Sequence, residues 1–164
     1  MGIFDGVLIC TDLDGTLLRN DKSISKENID AIEYFKANGG LFTFVTGRMP
    51  YYVQDMYNII NPNAPFGCIN GGGIYDHRAK EYVWTVNLLR SALELVQYVD
   101  ERIDTGIQIC TFEKTYFCKE NSAMRIFREN TGLPNIICHY SEVTEPIAKV
   151  IFGDDDENNI SSRL

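Results

Sequence analysis

The sequence predicts an α/β protein, with a Rossmann-like parallel-sheet core followed by an α+β module. Three observations support this fold class. In the first half, short apolar segments alternate with helical segments, which predicts parallel strands joined by right-handed crossovers. The first two apolar segments each run into polar residues and a glycine. In the second half, strand-like segments come in pairs between helices, as in an antiparallel sheet.

The first half accounts for the parallel core. Its opening segment is a continuous apolar run, as expected of a strand that is covered on both faces. The first helix has Ser25 as a candidate N-cap, and two glycines follow its end. The predicted elements are a strand at 7–11, a helix at 25–38, a strand within 41–48, a helix at about 50–60 and a strand at 66–70.

The second half begins with a predicted hairpin, formed by 74–75 and 82–86. We expect the domain boundary here, with residues 1–83 as the N-terminal part of the core and 84–164 as the α+β module. The later predicted elements are a helix at 89–103, strands at 107–112 and 115–118, a helix at 120–130 and a strand at 148–152.

Composition narrows the function classes. The formal net charge of −8 argues against binding of nucleic acid or an anionic membrane through the overall field. A phosphorylated small molecule remains compatible, because a metal ion and local N–H groups outweigh the global charge. The five cysteines show no CxxC spacing, which favours free thiols in a reducing compartment. We therefore expect a cytoplasmic protein with neither nucleic acid nor membrane as partner.

Two carboxylates follow the first strand. Asp12 and Asp14 flank Leu13, and Gly15 permits a tight loop after them. Such close carboxylates repel unless a cation lies between them or one holds a proton. Mg²⁺ prefers oxygen ligands, and one carboxylate could attack phosphorus while the other exchanges protons. The alternative interpretation is an ordinary surface turn.

Three motifs in order resemble the haloacid dehalogenase-like hydrolase superfamily. DLDGT at 12–16 resembles its first signature and FVTGR at 44–48 its second. NGGGIYD at 70–76 is similar to the segment that precedes the cap in the Cof-type sugar-phosphatase branch. The resemblance spans 7–86 and is looser in the cap-like remainder.

The resemblance implies roles for the first loop. It makes Asp12 the nucleophile and a Mg²⁺ ligand. It makes Asp14 the general acid/base, with its backbone carbonyl as a second metal ligand. Backbone N–H groups of the loop, with Leu13 among the binding residues, would hold the phosphate oxygens. Mg²⁺ is the implied cofactor.

The resemblance also implies roles after the second and third strands. Thr46 would donate a hydrogen bond to the phosphoryl group, and Gly47 and Arg48 would open the following helix. Arg48 either meets the substrate or braces the loop. Asn70 would contact the phosphate side or the hinge of the cap, or else satisfy a turn.

Two family elements are not evident in the sequence: a lysine near the nucleophile and an acidic loop that completes the metal shell. Lys149, Asp154 and Asp155 are candidates, but Lys149 is too close to the acidic pair to leave room for a helix. We expect these residues to belong to the cap. The chain would then be an N-terminal portion of a longer enzyme, with exposed sheet edges and weak Mg²⁺ binding.

These inferences predict a magnesium-dependent phosphatase that hydrolyses small phosphomonoesters, such as sugar phosphates, through an aspartyl phosphate. One alternative is a phosphomutase of the same superfamily. Another is an incomplete, inactive chain that binds phosphate or a partner. The expected partners are a small phosphorylated metabolite and, through incomplete sheet edges, a second copy of the chain.

Overall fold

The computed structural model describes residues 2–131 and 135–154, and these divide between two compact units. The units are Met1–Val86 and Asn87–Leu164. The boundary expected after residue 83 falls inside a strand, Glu81–Thr85, that is paired within the first unit. Cross-strand hydrogen bonds therefore keep residues 84–86 with the core.

A five-stranded sheet organises the first unit. Its first three strands are parallel to one another, and the last two add an antiparallel hairpin. This mixed topology confirms the predicted α/β class and the hairpin. The strands, in their order across the sheet, are β1 (Leu8–Asp12), β2 (Leu41–Val45), β3 (Phe66–Cys68), β4 (Gly73–Asp76) and β5 (Glu81–Thr85).

Helix α1 (Lys26–Ala37) connects β1 to β2. Its N-cap is Ser25, whose hydroxyl accepts a hydrogen bond from the Asn28 N–H at 3.1 Å. The helix buries Ile32 and Phe35. Burial of such side chains stabilises the fold by about 1.5–3 kcal/mol each.

The helix predicted at 50–60 is divided in two. Pro50–Tyr52 forms a 3₁₀ turn, and helix α2 is Gln54–Ile60. Val53 separates them with non-helical backbone angles, φ −120° and ψ 9°, and its side chain is buried. The helical pattern of the sequence does not reveal this division.

A buried aromatic pair, Phe44 and Phe66, lies at the centre of the first unit. The two rings stack with centroids 4.6 Å apart. Leu13, directly after β1, is fully buried as well. The core thus fixes the backbone at the carboxyl ends of β1 and β2, where the predicted catalytic residues lie.

The second unit contains a four-stranded sheet of order β8-β7-β6-β9. β6 is antiparallel to β7 and β9, as predicted, whereas β7 and β8 are parallel. β8 has only three residues and was not predicted. Lys149 lies in β9, in agreement with the strand prediction, and Asp155 lies outside the described residues. The elements are α3 (Ala92–Asp100), β6 (Gly106–Thr111), β7 (Thr115–Lys119), α4 (Ser122–Thr131), β8 (Asn135–Ile137) and β9 (Ile147–Gly153).

Within the described ranges, no helix is both long enough and apolar enough to cross a bilayer.

Candidate active site

The carboxyl ends of three neighbouring strands carry the predicted site residues. Asp12 ends β1 and pairs in register with Val45, the last residue of β2, so Thr46 follows directly beside it. Neighbouring strands lie about 4.8 Å apart. Asn70 follows β3, and its N–H donates to the Thr46 carbonyl at 3.3 Å. The structure therefore brings Asp12, Thr46 and Asn70 together at the carboxyl ends of the parallel strands.

The loop after β1 separates the two carboxylates. The side chain of Leu13 is buried, whereas Asp12 and Asp14 on either side of it are exposed. The Leu18 N–H donates to the Leu13 carbonyl at 2.8 Å, which closes the loop. Gly15 adopts φ +77°, a conformation that favours glycine. The loop thus presents both carboxylates to solvent on a backbone anchored in the core.

Asp14 is bound by two cations. Arg48 donates from Nε to Oδ2 at 3.0 Å and from Nη2 to Oδ1 at 2.7 Å. Lys22 Nζ donates to Oδ1 at 2.8 Å. The hydrogen bonds from Arg48, and then those from Lys22, hold the pKa of Asp14 below its usual value. In this arrangement Arg48 braces the loop, which is one of the two roles considered for it.

Lys22 was missed by sequence reasoning. It lies in a turn, with φ +66°, and the Lys22 N–H donates to the Arg19 carbonyl at 2.9 Å. The turn folds the chain back so that the Lys22 ammonium reaches Asp14, eight residues earlier. A single lysine in a polar segment carries no pattern that would have indicated this contact.

Thr46 is a buried residue directly after β2. Its Oγ1 accepts a hydrogen bond from the Arg48 N–H at 3.2 Å. A hydroxyl that accepts such a bond still carries its own proton to donate. The geometry is compatible with donation to a phosphoryl oxygen, the role expected for Thr46.

Gly47 and Asn70 pack against each other. A Cβ at Gly47 would lie 2.0 Å from the Asn70 Oδ1, so only glycine fits there without rearrangement. Ile69 and Asn70 both adopt positive φ, 58° and 52°. This conformation is rare for a β-branched residue such as Ile69. The Ile69 N–H donates to the Arg48 carbonyl at 3.1 Å. The loops after β2 and β3 therefore support each other.

The helix expected to open at Gly47 and Arg48 begins later. Met49 is the N-cap of the 3₁₀ turn that starts at Pro50, and α2 starts only at Gln54. Gly47 and Arg48 therefore lie in the connecting loop. The hydrogen bonds of Arg48 to Asp14 are made from this loop.

The oxygen donors at this edge fit a hard divalent cation. The exposed Asp12 carboxylate and the Asp14 backbone carbonyl are of the type that Mg²⁺ prefers, and this ion retains several waters. Across residues 2–131 and 135–154, no group of three or more His, Cys, Asp or Glu side chains is placed to hold a metal. The donor set therefore fits Mg²⁺ in type but is small.

Comparison with known proteins adds a family match. A family model described as haloacid dehalogenase-like hydrolase matches residues 9–162. Pyridoxal phosphate phosphatase YbhA of Escherichia coli is 30% identical over 101 residues, which cover 61% of this chain and 37% of that protein. A 5-amino-6-(5-phospho-D-ribitylamino)uracil phosphatase of Bacillus subtilis, YitU, is 36% identical over 78 residues, which cover 47% of this chain and 28% of that protein. The chain thus matches less than half the length of each relative.

A solved structure shares the fold. A sugar phosphatase of haloacid dehalogenase (HAD) subclass IIB superposes with a TM-score of 0.73 at 17% identity. The likeness covers 86% of this chain and 56% of that one. The shared architecture therefore extends over both compact units.

Proposed function

Because the chain belongs to the haloacid dehalogenase-like hydrolase family, we propose that it carries the nucleophile of a magnesium-dependent phosphatase acting on small phosphomonoesters. The family indicated by the three sequence motifs is thereby confirmed. One observation carries the proposal: the exposed carboxylate of Asp12 ends β1 beside Thr46 at the end of β2. Two named relatives support the substrate class, since their names specify pyridoxal phosphate and a phosphoribityl compound.

The proposed reaction has two steps. An Asp12 carboxylate oxygen bonds to phosphorus while the ester P–O bond breaks, and the leaving alcohol takes a proton from Asp14. Asp14 then takes a proton from the water that attacks the aspartyl phosphate, which releases phosphate and restores Asp12. The Thr46 hydroxyl and loop N–H groups, including that of Leu13, hold the phosphoryl oxygens.

The ion pairs of Asp14 bear directly on its proposed role as an acid. A general acid must hold a proton, yet Arg48 and Lys22 lower the pKa of Asp14 and favour its ionised form. We propose that the substrate phosphate draws these two cations to itself. Removing them from Asp14 raises the pKa of Asp14, so that it gains a proton when substrate is bound.

Charge balance supports a divalent cation. Before substrate binds, both cations, Arg48 and Lys22, pair with Asp14, and the exposed Asp12 carboxylate adds a second negative charge. A phosphate ester adds up to about two negative charges at neutral pH. In our proposal the Asp12 carboxylate and the Asp14 carbonyl would hold Mg²⁺, which would supply the additional positive charge.

The test is hydrolysis of p-nitrophenyl phosphate by the full chain with Mg²⁺. Asp12→Asn should reduce turnover at least about a thousandfold, and Asp30→Asn on the exposed face of α1 should leave it unchanged. Chelation of Mg²⁺ should abolish turnover, and added Mg²⁺ should restore it. Activity that survives Asp12→Asn would overturn the proposal. An inactive wild-type chain would favour the interpretation as a phosphate- or partner-binding module.

We also propose self-association through the exposed sheet. β1 forms one edge of the five-stranded sheet. Val45, Gly67, Ile74 and Trp84 form one register row across it, and the three large members are 40–48% exposed. Exposed apolar rows and strand edges promote pairing with another chain. Sedimentation velocity should show concentration-dependent association that Trp84→Lys weakens; a monomer at all concentrations would overturn this proposal.

We place the protein in the cytoplasm. The proposal rests on the sequence, in which five cysteines without CxxC spacing favour free thiols in a reducing compartment. Cell fractionation that recovers the protein outside the cytoplasm would contradict this assignment.

A further inference from the structure

Two cysteines of the second unit face each other across neighbouring strands. The parallel strands β7 and β8 pair Thr115 with Asn135, then Tyr116 with Ile136, then Phe117 with Ile137. The next position of this register places Cys118 opposite Cys138, which directly follows β8. Neighbouring strands are about 4.8 Å apart, within the range of Cα separations that a disulfide spans.

The two thiols share one environment. Neither cysteine is in a disulfide, and both are partly buried. Both also pack against the buried cluster of the second unit, which holds their side chains in place. The cluster consists of Ile109, Tyr116, Val143 and Ile147.

The remaining cysteines have different environments. Cys10 is exposed on β1, and Cys68 and Cys110 are buried. Cys10 is therefore accessible to reagents but lies in the other compact unit, whereas Cys118 and Cys138 are held side by side. Cys118 and Cys138 are therefore placed to bond with each other, whereas the exposed Cys10 is placed to react with an external reagent.

We propose that Cys118 and Cys138 form an intrachain disulfide by exchange with a low-molecular-weight disulfide such as oxidised glutathione. One cysteine thiolate attacks the glutathione disulfide, and a glutathione thiolate leaves. The second cysteine thiolate attacks the mixed disulfide, which releases a second glutathione thiolate and closes the protein bond. Two cysteines lose two electrons and two protons, and oxidised glutathione is reduced to two thiols.

The surroundings of the pair make this exchange slow at neutral pH. Burial, with contributions from Cys138 and Glu142, raises the pKa of Cys118 to about 12. Burial and then Glu142 also raise the pKa of Cys138. Because the thiolate is the attacking species, few molecules are reactive at any moment. The Cys118–Cys138 disulfide therefore forms only under sustained oxidation, and both cysteines stay reduced otherwise.

The bond would join the short strand β8 to β7. β8 has three residues, and its register pairing is with β7 alone among the described strands. A covalent link at its end closes a loop of about twenty residues, which limits the freedom of the unfolded chain. Oxidation should therefore raise the thermal unfolding temperature by several degrees.

The test is incubation of the folded full chain with oxidised glutathione at mildly alkaline pH, followed by alkylation and trypsin digestion. We expect the peptide 115–119 linked to the peptide 129–149, and glutathione on Cys10. Cys118→Ser and Cys138→Ser should each abolish the link and the rise in unfolding temperature. Cys10→Ser should abolish neither.

Two results would overturn the proposal. One is glutathione on Cys10 with Cys118 and Cys138 still reduced. The other is glutathione retained on Cys118 or Cys138 without the linked peptide. The control is the same digest of protein oxidised in denaturant, where all five cysteines can pair with one another. It shows how much of the Cys118–Cys138 link forms without the fold.

Discussion

Arg48 binds the carboxylate of Asp14 with both Nε and Nη2, at 3.0 Å and 2.7 Å, although 34 residues separate them in the chain. The contact joins the loop after β1 to the loop after β2. Two-point binding of a carboxylate by arginine fixes orientation as well as charge. The position and the protonation of Asp14 therefore both depend on Arg48.

Arg48→Ala should raise the pKa of Asp14 toward the ordinary aspartate value, because the largest cause of its lowering is removed. Lys22→Met should raise it less. Titration of the Asp14 carboxyl carbon by NMR measures both changes. Since the folded-state pKa is lowered, Arg48→Ala should reduce stability at neutral pH, and the difference should vanish as the pH falls through that pKa. An unchanged Asp14 pKa in Arg48→Ala would contradict the account.

Gly47→Ala should lower the free energy of unfolding by about 0.5 kcal/mol, because the new Cβ forces the exposed Asn70 side chain to move. Asn70→Ala removes the overlapping amide, so Gly47→Ala should cost less in that background. Urea unfolding of the two single variants and the double variant measures this coupling. Equal costs in both backgrounds would show that the close packing of Gly47 and Asn70 does not limit position 47.

Tyr116→Phe should weaken the second unit in a pH-dependent way. The Tyr116 hydroxyl donates to Glu145 at 2.5 Å and, with the Glu145 backbone N–H and Lys114, lowers the pKa of Glu145 to about 2. A carboxyl group whose pKa is lowered on folding stabilises the protein at pH values above its ordinary pKa, and this stabilisation is lost as the pH falls toward 2. The destabilisation by Tyr116→Phe should therefore be present at pH 7 and shrink toward pH 2.

Thermal unfolding of Tyr116→Phe across this range of pH is the measurement. Tyr98→Phe, at an exposed position on α3, serves as the matched control and should show no such dependence. A loss of stability that is the same at pH 7 and pH 2 would assign the effect to packing of the ring rather than to Glu145.

Ser25→Ala should reduce stability by about 1 kcal/mol, because the N-cap bond to Asn28 is lost. Ser91 provides the matched control. It occupies the N-cap position of α3 but makes no capping hydrogen bond with its side chain, so Ser91→Ala should cost much less. Similar costs for the two variants, measured by urea unfolding, would contradict the capping role of Ser25.

The elements predicted correctly are those with strong local patterns. The apolar run before Asp12, the run before Thr46 and the hairpin around 76–81 all formed strands as predicted. The prediction that the first strand is covered on both faces was wrong, because most residues of β1 are exposed. β8 was missed because its three residues form a strand only by pairing with β7. The break at Val53 was missed because no glycine or proline at position 53 marks it.

The site shows the same division. Asp12 and Thr46 could be placed together from sequence, since the carboxyl ends of adjacent parallel strands meet at one edge. The bracing role of Arg48 was left open, and Lys22 was missed, because both depend on how loops fold over Asp14. The packing of Asn70 on Gly47 depends on positive φ angles at Ile69 and Asn70. Asparagine tolerates such angles, but a β-branched residue such as Ile69 rarely adopts them, so the sequence did not predict them together.

The most direct test of the central claim is to trap the phosphorylated carboxylate. The full chain is mixed with a phosphomonoester and Mg²⁺, quenched in borohydride and digested with trypsin, which leaves residues 1–19 as one peptide. Borohydride reduces an aspartyl phosphate to homoserine, and tandem mass spectrometry locates the change. Homoserine is expected at position 12, with Asp14 unaltered. Homoserine at position 14, or turnover with no trapped residue at position 12, would contradict it.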